Sequence, residues 1–486
     1  MMQILNGTIS NSKERPIKVV QFGEGNFLRA FVDYMIDVAN EKGLFDGSIV
    51  VLKPIEFGNL DRFKEQECKY TVTLRGKQEG KEVVSNRIIT SLKEAVSIYD
   101  QYYTYMELAR VETLRFVVSN TTEAGIVFNE NDLYEDIPPR TFPAKLTKFL
   151  YERYRTFSGN LEKGLIILPV ELIDDNGIVL KECVFKYANR WKMEAEFLHW
   201  LLEACVFCST LVDRIVTGYP FEEAQDIWQQ LGYQDNLLVT AEPFGLWVIE
   251  SDKDISNEIP LDKAGMPVIF TDNQTPYKQR KVRILNGAHT SFALASFLAG
   301  NNYVGESMQD EVIRKFMTSV IYDEVIPTLT LPKEELLDFA NSVIERFENP
   351  YIKHSLLSIS LNSTSKWRAR CLPSLLEYIR IYKTLPKHLV FSIAALMSFY
   401  SSSDLKENCL IGNRSIDSYE IKDDKFVLEF FADNSKLPTD LFVKAYLSNT
   451  SIHGQDLTQY PGLTEKVTEY LVNINTVGMR NAIELL

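Results

Sequence analysis

The apolar positions of this chain follow two textures, and the change comes near Asn286. Before it, short continuous apolar runs alternate with amphipathic stretches. Ile17–Phe22 (IKVVQF) predicts a buried strand. Over residues 26–43, Phe27, Phe31, Tyr34, Met35 and Val38 recur at helical spacing, and Gly43 supplies the stop. Ser48–Lys53 (SIVVLK) predicts the next strand, which completes a strand–helix–strand unit of the length a parallel crossover needs. Residues 114–120 (LRFVVSN) and 164–170 (GLIILPV) are continuous in apolar residues, as strands covered on both faces are. Residues 236–250 add strand character. KYTVTLRG and KEVVSNRIIT flank a polar turn and predict a hairpin inserted after the second strand.

After Asn286 alternation is rare and helical periodicity takes over, as in EELLDFANSVIERFENPYI and LPSLLEYIRIY. The pattern predicts an α/β fold: a Rossmann-type N-terminal domain with an inserted hairpin, residues 1–280, and a mostly α-helical C-terminal domain, residues 281–486. No internal repeat interrupts it.

Bulk properties narrow the picture. A chain of 486 residues is too long for one ordinary core. Hydrophobic residues at 45% and charged residues at 24% are ordinary for a globular protein. A net charge of -14 argues against a nucleic-acid binder, which carries a basic face. Six cysteines are too few for a disulfide scaffold. The N-terminus lacks the apolar core of a signal peptide, and HLVFSIAALMSFY is too short and too polar to span a bilayer. The expectation is a reduced, cytoplasmic protein with no membrane partner; no pattern fixes its oligomeric state.

The first candidate site is VVQFGEGNFLRAF. In a dinucleotide fold one glycine permits the tight turn, a second lets the pyrophosphate approach the backbone, and a third lets the helix pack close. Gly23 and Gly25 suit the first two tasks, and Leu28 stands where the third glycine falls. A helix starting near Asn26 offers N–H groups and a positive dipole end to phosphate. The plain alternative is a strand-to-helix turn without a ligand. Lys53 ends the second strand, where the fingerprint expects an acid for the ribose hydroxyls, and Glu56 follows three residues on. Lys53 could instead meet a ribose phosphate, so NAD and NADP both stay open at this level. The polar segment SNTTEAG, residues 119–125, suits a loop over a nicotinamide ribose. The candidate cofactor residues are Phe22, Gly23, Glu24, Gly25, Asn26, Phe27, Lys53, Ser119, Asn120 and Thr121.

The second candidate site is YKQRKVRILNGAHTSFALASF. If a helix begins near Asn286, then Asn286 and His289 share a face and Lys281 precedes them. Reducing a ketone by hydride needs a proton donor at the developing alkoxide. A lysine shielded from water has a lowered pKa and can shuttle that proton near neutral pH. Asn286 can donate to the carbonyl oxygen, and His289 can hold a hydroxyl. The plain alternative is a solvated lysine and a satisfied histidine. Tyr277 and Lys281 also form Y-x-x-x-K, a short motif with no evident partner serine. Metal chemistry is not indicated: no two of the five histidines are close in sequence. Cys205 and Cys208 form C-x-x-C inside HWLLEACVFCSTLV, which reads as a buried helix.

Taken together, GEGNFLRAF, SNTTEAG, VDRIV (residues 212–216) and KVRILNGAH resemble the mannitol dehydrogenase family of polyol-specific long-chain dehydrogenases, over nearly the whole chain. Its most specific pattern, K-x-x-x-x-N-G-x-H, falls on Lys281, Asn286, Gly287 and His289. The resemblance implies a Rossmann domain with a helical C-terminal domain, NAD as cofactor, and lysine rather than zinc as acid–base catalyst. It makes GEGNF a phosphate-binding turn in a variant form.

One departure is informative. Many members carry S-C-D-N-L after the strand that here ends near Val170, and its asparagine joins the catalytic site. This chain has LPVELIDDNG, with Leu172 in that place. The segment is similar to a branch of the family that reduces a hexuronate to an aldonate. A hexuronate carries a carboxylate, for which a cation is the natural partner. Lys366, Arg368 and Arg370 lie close together, and Lys366 and Arg370 share a face if helical. Lys366 has the better claim, because family members place a lysine at that point. Glu171 is a further substrate-binding candidate. The rival readings are a family member acting on another hexuronate or a neutral polyol, and a non-catalytic dinucleotide-binding sensor.

Overall fold

The computed structural model describes residues 2–10, 13–122 and 124–486. It divides into two compact units, residues 1–76 with 82–274, and residues 77–81 with 275–486. The helix carrying Lys281 therefore begins the second unit at Thr275, six residues before the expected boundary.

The first unit is built on strands β1 (Ile17–Phe22), β2 (Ser48–Lys53), β3 (Tyr70–Gln78), β4 (Lys81–Ile89), β5 (Leu92–Ser97), β6 (Phe116–Ser119), β7 (Ile166–Pro169) and β8 (Val206–Phe207). Six of these form one sheet in the order β5-β2-β1-β6-β7-β8, and every pair is parallel. Successive residues of a strand point to opposite faces, so the apolar runs fill two cores. Val19, Val51, Val118 and Leu168 face one; Val20, Phe22, Leu52, Val117 and Ile167 face the other. Both faces are covered, which is why β2 is buried along its whole length and shows no alternation.

The remaining strands are β9 (Ser209–Asp213), β10 (Val216–Gly218), β11 (Val239–Ala241), β12 (Leu246–Glu250) and β13 (Val268–Thr271). The predicted hairpin β3–β4 is present, but it belongs to a separate sheet of order β10-β11-β3-β4, where β3 pairs in parallel with β11. A third sheet has the order β13-β12-β9. The stretch around Cys205 and Cys208 is not one helix. Its helix ends at Glu203, Cys205 precedes β8, and Cys208 separates β8 from β9. Both thiols are buried, and burial raises both pKa values, to about 11 and about 12.

Besides residues 77–81, the tip of the β3–β4 hairpin, the second unit is helical with one small antiparallel pair among its described residues, β14 (Leu410–Asn413) and β15 (Ser418–Ile421). Its central helix, Gly287–Leu298, is apolar almost all round and buried accordingly. Among the described residues no helix is long and apolar enough to cross a membrane.

Candidate active site

In the first unit, the glycine turn follows β1 directly. Gly23 has φ +123°, and a Cβ there would stand 2.8 Å from the Asn120 carbonyl oxygen. Only glycine fits that turn without strain. At Gly25 an added Cβ would meet nothing within 4 Å, so the backbone lies open on that side. The helix that follows, Asn26–Ala30, starts without a side-chain cap. An exposed, uncapped helix start beside an open glycine suits a phosphate-bearing cofactor.

Leu28 is buried, with its Cδ1 lying 3.3 Å from the Cβ position of Gly23, and it replaces the usual close helix contact by side-chain packing. Phe22 turns its ring into the core against Tyr105 and Phe142, leaving only its backbone for the turn. Phe27 stacks on Phe31 at 5.0 Å. Asn26 Oδ1 accepts from the buried Arg29 guanidinium, which also donates to the Leu237 carbonyl. Glu24 is partly buried, and that burial raises its pKa although Lys53 and Arg29 pull the other way.

Lys53 is 1% exposed. Its ammonium donates to the carbonyls of Ile55 at 2.6 Å, Glu56 at 3.1 Å and Phe57 at 3.2 Å. An ammonium has three donors, and all three are engaged. The alternative in which Lys53 meets a ribose phosphate would break this cage, so the structure turns that reading down.

The expected role of Glu171 changes as well. Its carboxylate is 3% exposed and accepts from Ser119 Oγ, Thr121 N and Thr121 Oγ1, each at 3.0 Å. It ties the loop after β6 to the end of β7, so its acceptor positions are already engaged within the unit. The hydroxyls of Ser119 and Thr121 are engaged there, and Asn120 Nδ2 donates to the Val170 carbonyl at 3.3 Å. Glu123 of this loop lies outside the described residues. Leu172 is 64% exposed. Asn176, the nearest asparagine, is fully buried and bonds to Pro169, Glu171 and Thr210, so it is a brace for the turn.

In the second unit the helix starts at Thr275, not at Asn286. It runs through a π-helical turn, Lys281–Asn286, into Gly287–Leu298. The π turn matters for the geometry. An α-helix advances about 100° per residue, which would put Asn286 about 140° round from Lys281. A π turn advances roughly 80° per residue, which brings Asn286 to within about 50° of Lys281 and His289 nearly in line with it. Tyr277 lies on the same helix, but its ring carries the Arg280 guanidinium at 5.2 Å.

Gly287 lets this helix approach the helix Ser363–Arg370. A Cβ there would touch the Arg370 carbonyl at 3.4 Å, and Cys371 Sγ lies 3.5 Å from the Gly287 carbonyl oxygen. The helix Ser363–Arg370 is anchored by Asp423, which accepts from Thr364 and Tyr400, and by Trp367, which donates to Ser392.

This packing gathers a cluster. His289 stacks on Phe347 at 4.2 Å and meets His354 edge-on at 5.1 Å. Its Nε2 is buried with no hydrogen-bond partner. Burial holds the imidazole neutral well below the ordinary histidine range, and His354, Arg346, Arg370 and Lys366 push the same way. Burial and then Lys366 lower the pKa of His354. Burial and then Arg370 lower that of Lys366. Lys366 Nζ donates to the Ile359 carbonyl at 3.0 Å, and Arg370 donates to Thr290 Oγ1 at 3.3 Å. Among the described residues neither cation has a carboxylate within ion-pair distance. The Asn286 carboxamide makes no side-chain hydrogen bond there, while Thr290 Oγ1 donates to its backbone carbonyl at 2.9 Å.

The sequence pattern points to Lys281, Asn286, His289, Lys366 and Arg370. It misses Arg346, a buried position on the helix Lys333–Phe347, and His354, in the irregular segment that follows that helix; no local pattern marks either. Among the described residues no set of three or more metal-ligating side chains comes together.

A parallel sheet with a glycine turn after its first strand, followed in the chain by a helical unit, is the architecture of a dinucleotide-binding dehydrogenase. Residues 17–263 match the mannitol dehydrogenase Rossmann domain and residues 273–475 match the mannitol dehydrogenase C-terminal domain. The chain belongs to the mannitol dehydrogenase family, and so to the oxidoreductases that act on a CH–OH group. It is 45% identical over 489 residues to the altronate oxidoreductase of Yersinia enterocolitica, covering 99% of each chain. It is 44% identical over 492 residues to that of Shigella flexneri, covering 100% of each. Two solved structures share the fold. Mannitol 2-dehydrogenase of Pseudomonas fluorescens, in ternary complex with NAD and D-mannitol, has a TM-score of 0.67 at 21% identity, covering 97% of this chain and 94% of that one. A D-sorbitol dehydrogenase in substrate-free form has a TM-score of 0.80 at 22% identity, covering 99% and 100%.

Proposed function

We propose that this chain is an NAD-dependent tagaturonate reductase, reducing the ketone of D-tagaturonate to give D-altronate and catalysing the reverse oxidation. The observation that carries the reading is the cluster in the second unit: a buried imidazole nitrogen with no hydrogen-bond partner among the described residues, beside Lys366 and Arg370, whose side-chain hydrogen bonds go to neutral oxygens. Such a site lacks an anion and a hydroxyl, and a hexuronate brings both. The altronate oxidoreductases at 44–45% identity support the same substrate.

The glycine turn at Gly23 and Gly25 and the helix start at Asn26 are the residues that would hold the pyrophosphate of NAD. The cofactor supplies the hydride for reduction and accepts it in oxidation. Lys281 gives its proton to the oxygen that becomes the altronate hydroxyl, and takes one back in the oxidative direction. Asn286 donates a hydrogen bond to that oxygen as its charge develops, a task Leu172 cannot perform. His289, neutral at physiological pH, holds a neighbouring hydroxyl through Nε2. Lys366 and Arg370 pair with the carboxylate.

The test is NADH consumption with tagaturonate, fructuronate and fructose in parallel, on the wild type and on Lys366→Met and Arg370→Leu. A charged hydrogen bond contributes roughly 1.5–3 kcal/mol, so each variant should raise the KM for tagaturonate about 10- to 100-fold. Fructose, which has no carboxylate, should be unaffected by either change. A wild type that prefers fructose sinks the hexuronate assignment, and NADH binding without turnover on any of the three sinks catalysis itself.

A further inference from the structure

Among the described residues the second unit holds two π turns, and they pack against each other. The first, Lys281–Asn286, carries Lys281 and Asn286. The second, Val320–Val325, follows the helix Glu311–Ser319 and leads into a short turn, Ile326–Thr328. In each, an N–H reaches back five residues: from Gly287 to the Val282 carbonyl, and from Ile326 to the Ile321 carbonyl. The second turn has a cause in the sequence. Pro327 has no N–H, and in a regular helix its ring would crowd the carbonyl of residue 323, so the coil widens just before it.

Glu324 lies in that second turn and is 3% exposed. One of its oxygens accepts from His388 N at 2.7 Å and from His388 Nδ1 at 2.8 Å, and the other accepts from Leu389 N at 2.7 Å. A carboxylate only accepts, so Nδ1 carries the proton. These donors open the helix Lys387–Phe399, whose cap residue, Pro386, supplies no side-chain bond. That helix packs on the helix Gly287–Leu298, and so does the second π turn. Glu324 therefore ties together two elements that flank the continuous helix bearing Lys281, Asn286 and His289. Stability alone does not account for a carboxylate here. A serine or asparagine at position 386 would cap the same N–H groups locally. A buried charge brought from 64 residues away costs desolvation that good geometry only offsets. What it adds is a fixed position for the second turn.

We propose that Glu324 is a positioning residue for the proton transfer. It clamps the second π turn against the first, and that contact keeps Lys281 in line with Asn286 and His289. Released to an ordinary α turn, the segment Lys281–Asn286 would carry Lys281 round the helix and away from both. Glu324 itself touches neither substrate nor cofactor. The inference rests on the reading of Lys281 as the acid–base group.

The experiment is a double-mutant cycle on the full chain, reading kcat and KM for tagaturonate and the Kd for NADH. Glu324→Gln keeps one acceptor oxygen and sets an NH2 against the other donors. Misplacing a reacting group by about 1 Å costs on the order of 100-fold, so kcat per folded enzyme should fall about 10- to 100-fold. The KM for tagaturonate and the NADH Kd should stay within about threefold, because neither depends on proton transfer. In a Lys281→Ala background the same change should cost less than about threefold, since the group it positions is gone. His388→Leu removes one of the three bonds and should cost about three- to tenfold, while His388→Asn, which presents an N–H near the place of Nδ1, should recover most of that loss. This pair decides the matter if Glu324→Gln does not fold. An equal loss from Glu324→Gln in both backgrounds would make Glu324 a structural residue only and overturn the proposal. So would a kcat close to wild type in Glu324→Gln or His388→Leu, or no recovery in His388→Asn. Full activity in Lys281→Ala, or a wild type that does not turn over tagaturonate, is a different failure, that of the proposed function.

Discussion

The two units treat buried charge in opposite ways. In the first, the charged groups around the glycine turn make most of their hydrogen bonds within the unit, Lys53 to three carbonyls, Glu171 from Ser119 and Thr121, Arg29 to Asn26 and Leu237, with Arg29 Nε and Asp33 Oδ1 the exceptions. The surface left for a ligand is backbone, at Gly23 and Gly25. In the second, His289 Nε2 has no partner, and Lys366 and Arg370 reach only neutral oxygens. A buried polar group without a partner costs folding free energy, so it persists where a ligand completes it. The first unit is organised to hold a shape; the second is organised to receive one. Loss of a side chain should therefore damage affinity or stability in the first and chemistry or substrate recognition in the second.

The largest expected effect is Lys281→Ala. General acid–base groups contribute about 10²–10⁴-fold, so kcat should fall by about that much while the Kd for NADH, measured by titration, changes less than twofold. Activity retained in this variant would remove lysine from the mechanism and leave the second unit with substrate recognition only. A large loss of NADH affinity would erase the contrast between the units.

Glu171→Gln tests the first unit from the other side. The amide keeps one oxygen for Thr121 and sets its NH2 against Ser119 Oγ, so one carboxylate acceptor and the negative charge are lost in a buried place. The expected outcome is a stability loss of roughly 1–3 kcal/mol in denaturant unfolding, with weaker NADH binding. The KM for the hexuronate should stay within about twofold. A selective rise in that KM would restore the substrate-facing role that the sequence suggested for Glu171.

What the sequence disclosed follows from which interactions are local. β1 and β2 could be placed to the residue, because a strand buried on both faces declares itself as an apolar run. The parallel edge strand β5 was not legible. Its sequence LKEAVS carries two charges in six positions and pairs through backbone alone. The start of the Lys281 helix was misread because Asn286 and Gly287 look like a helix entrance. The π turn that realigns Asn286 and His289 with Lys281 is a backbone choice imposed by packing, and no residue type announces it. The sharing of a site by His289, Lys366 and Arg370 was reached through family resemblance. The addition of His354 needed the fold, since 65 residues separate it from His289. Glu171 and Lys53 were visible as charges in suggestive places, but a charge does not reveal whether its donors or acceptors are already engaged.

The smallest effect on activity concerns a buried carboxyl near the turn, Asp33, that breaks the pattern. Asp33 is fully buried, with Oδ2 2.9 Å from Tyr70 Oη and Oδ1 left without a partner. Burial raises its pKa from 3.8 to about 7, although the hydrogen bond from Tyr70, the neighbouring Gln21 amide and the charge of Arg29 pull it down. The folded chain therefore keeps a proton that the unfolded chain releases above about pH 4. Where the folded state binds more protons, stability falls as pH rises. The fall should run from about pH 4 to about pH 7 and level off above that. Asp33→Asn removes the titration and keeps an oxygen for Tyr70. Subtracting its stability from that of wild type isolates the single group. The difference should turn against wild type across this window and reach at most about 4 kcal/mol at pH 8. A flat difference from pH 4 to pH 8 would mean that Asp33 is ionised throughout, and that its orphan oxygen is stabilised in the closed manner of Glu171. A difference that also moves the NADH Kd would instead make Asp33 part of the ligand site, and the first unit would then share the second unit's way of holding charge open for a ligand.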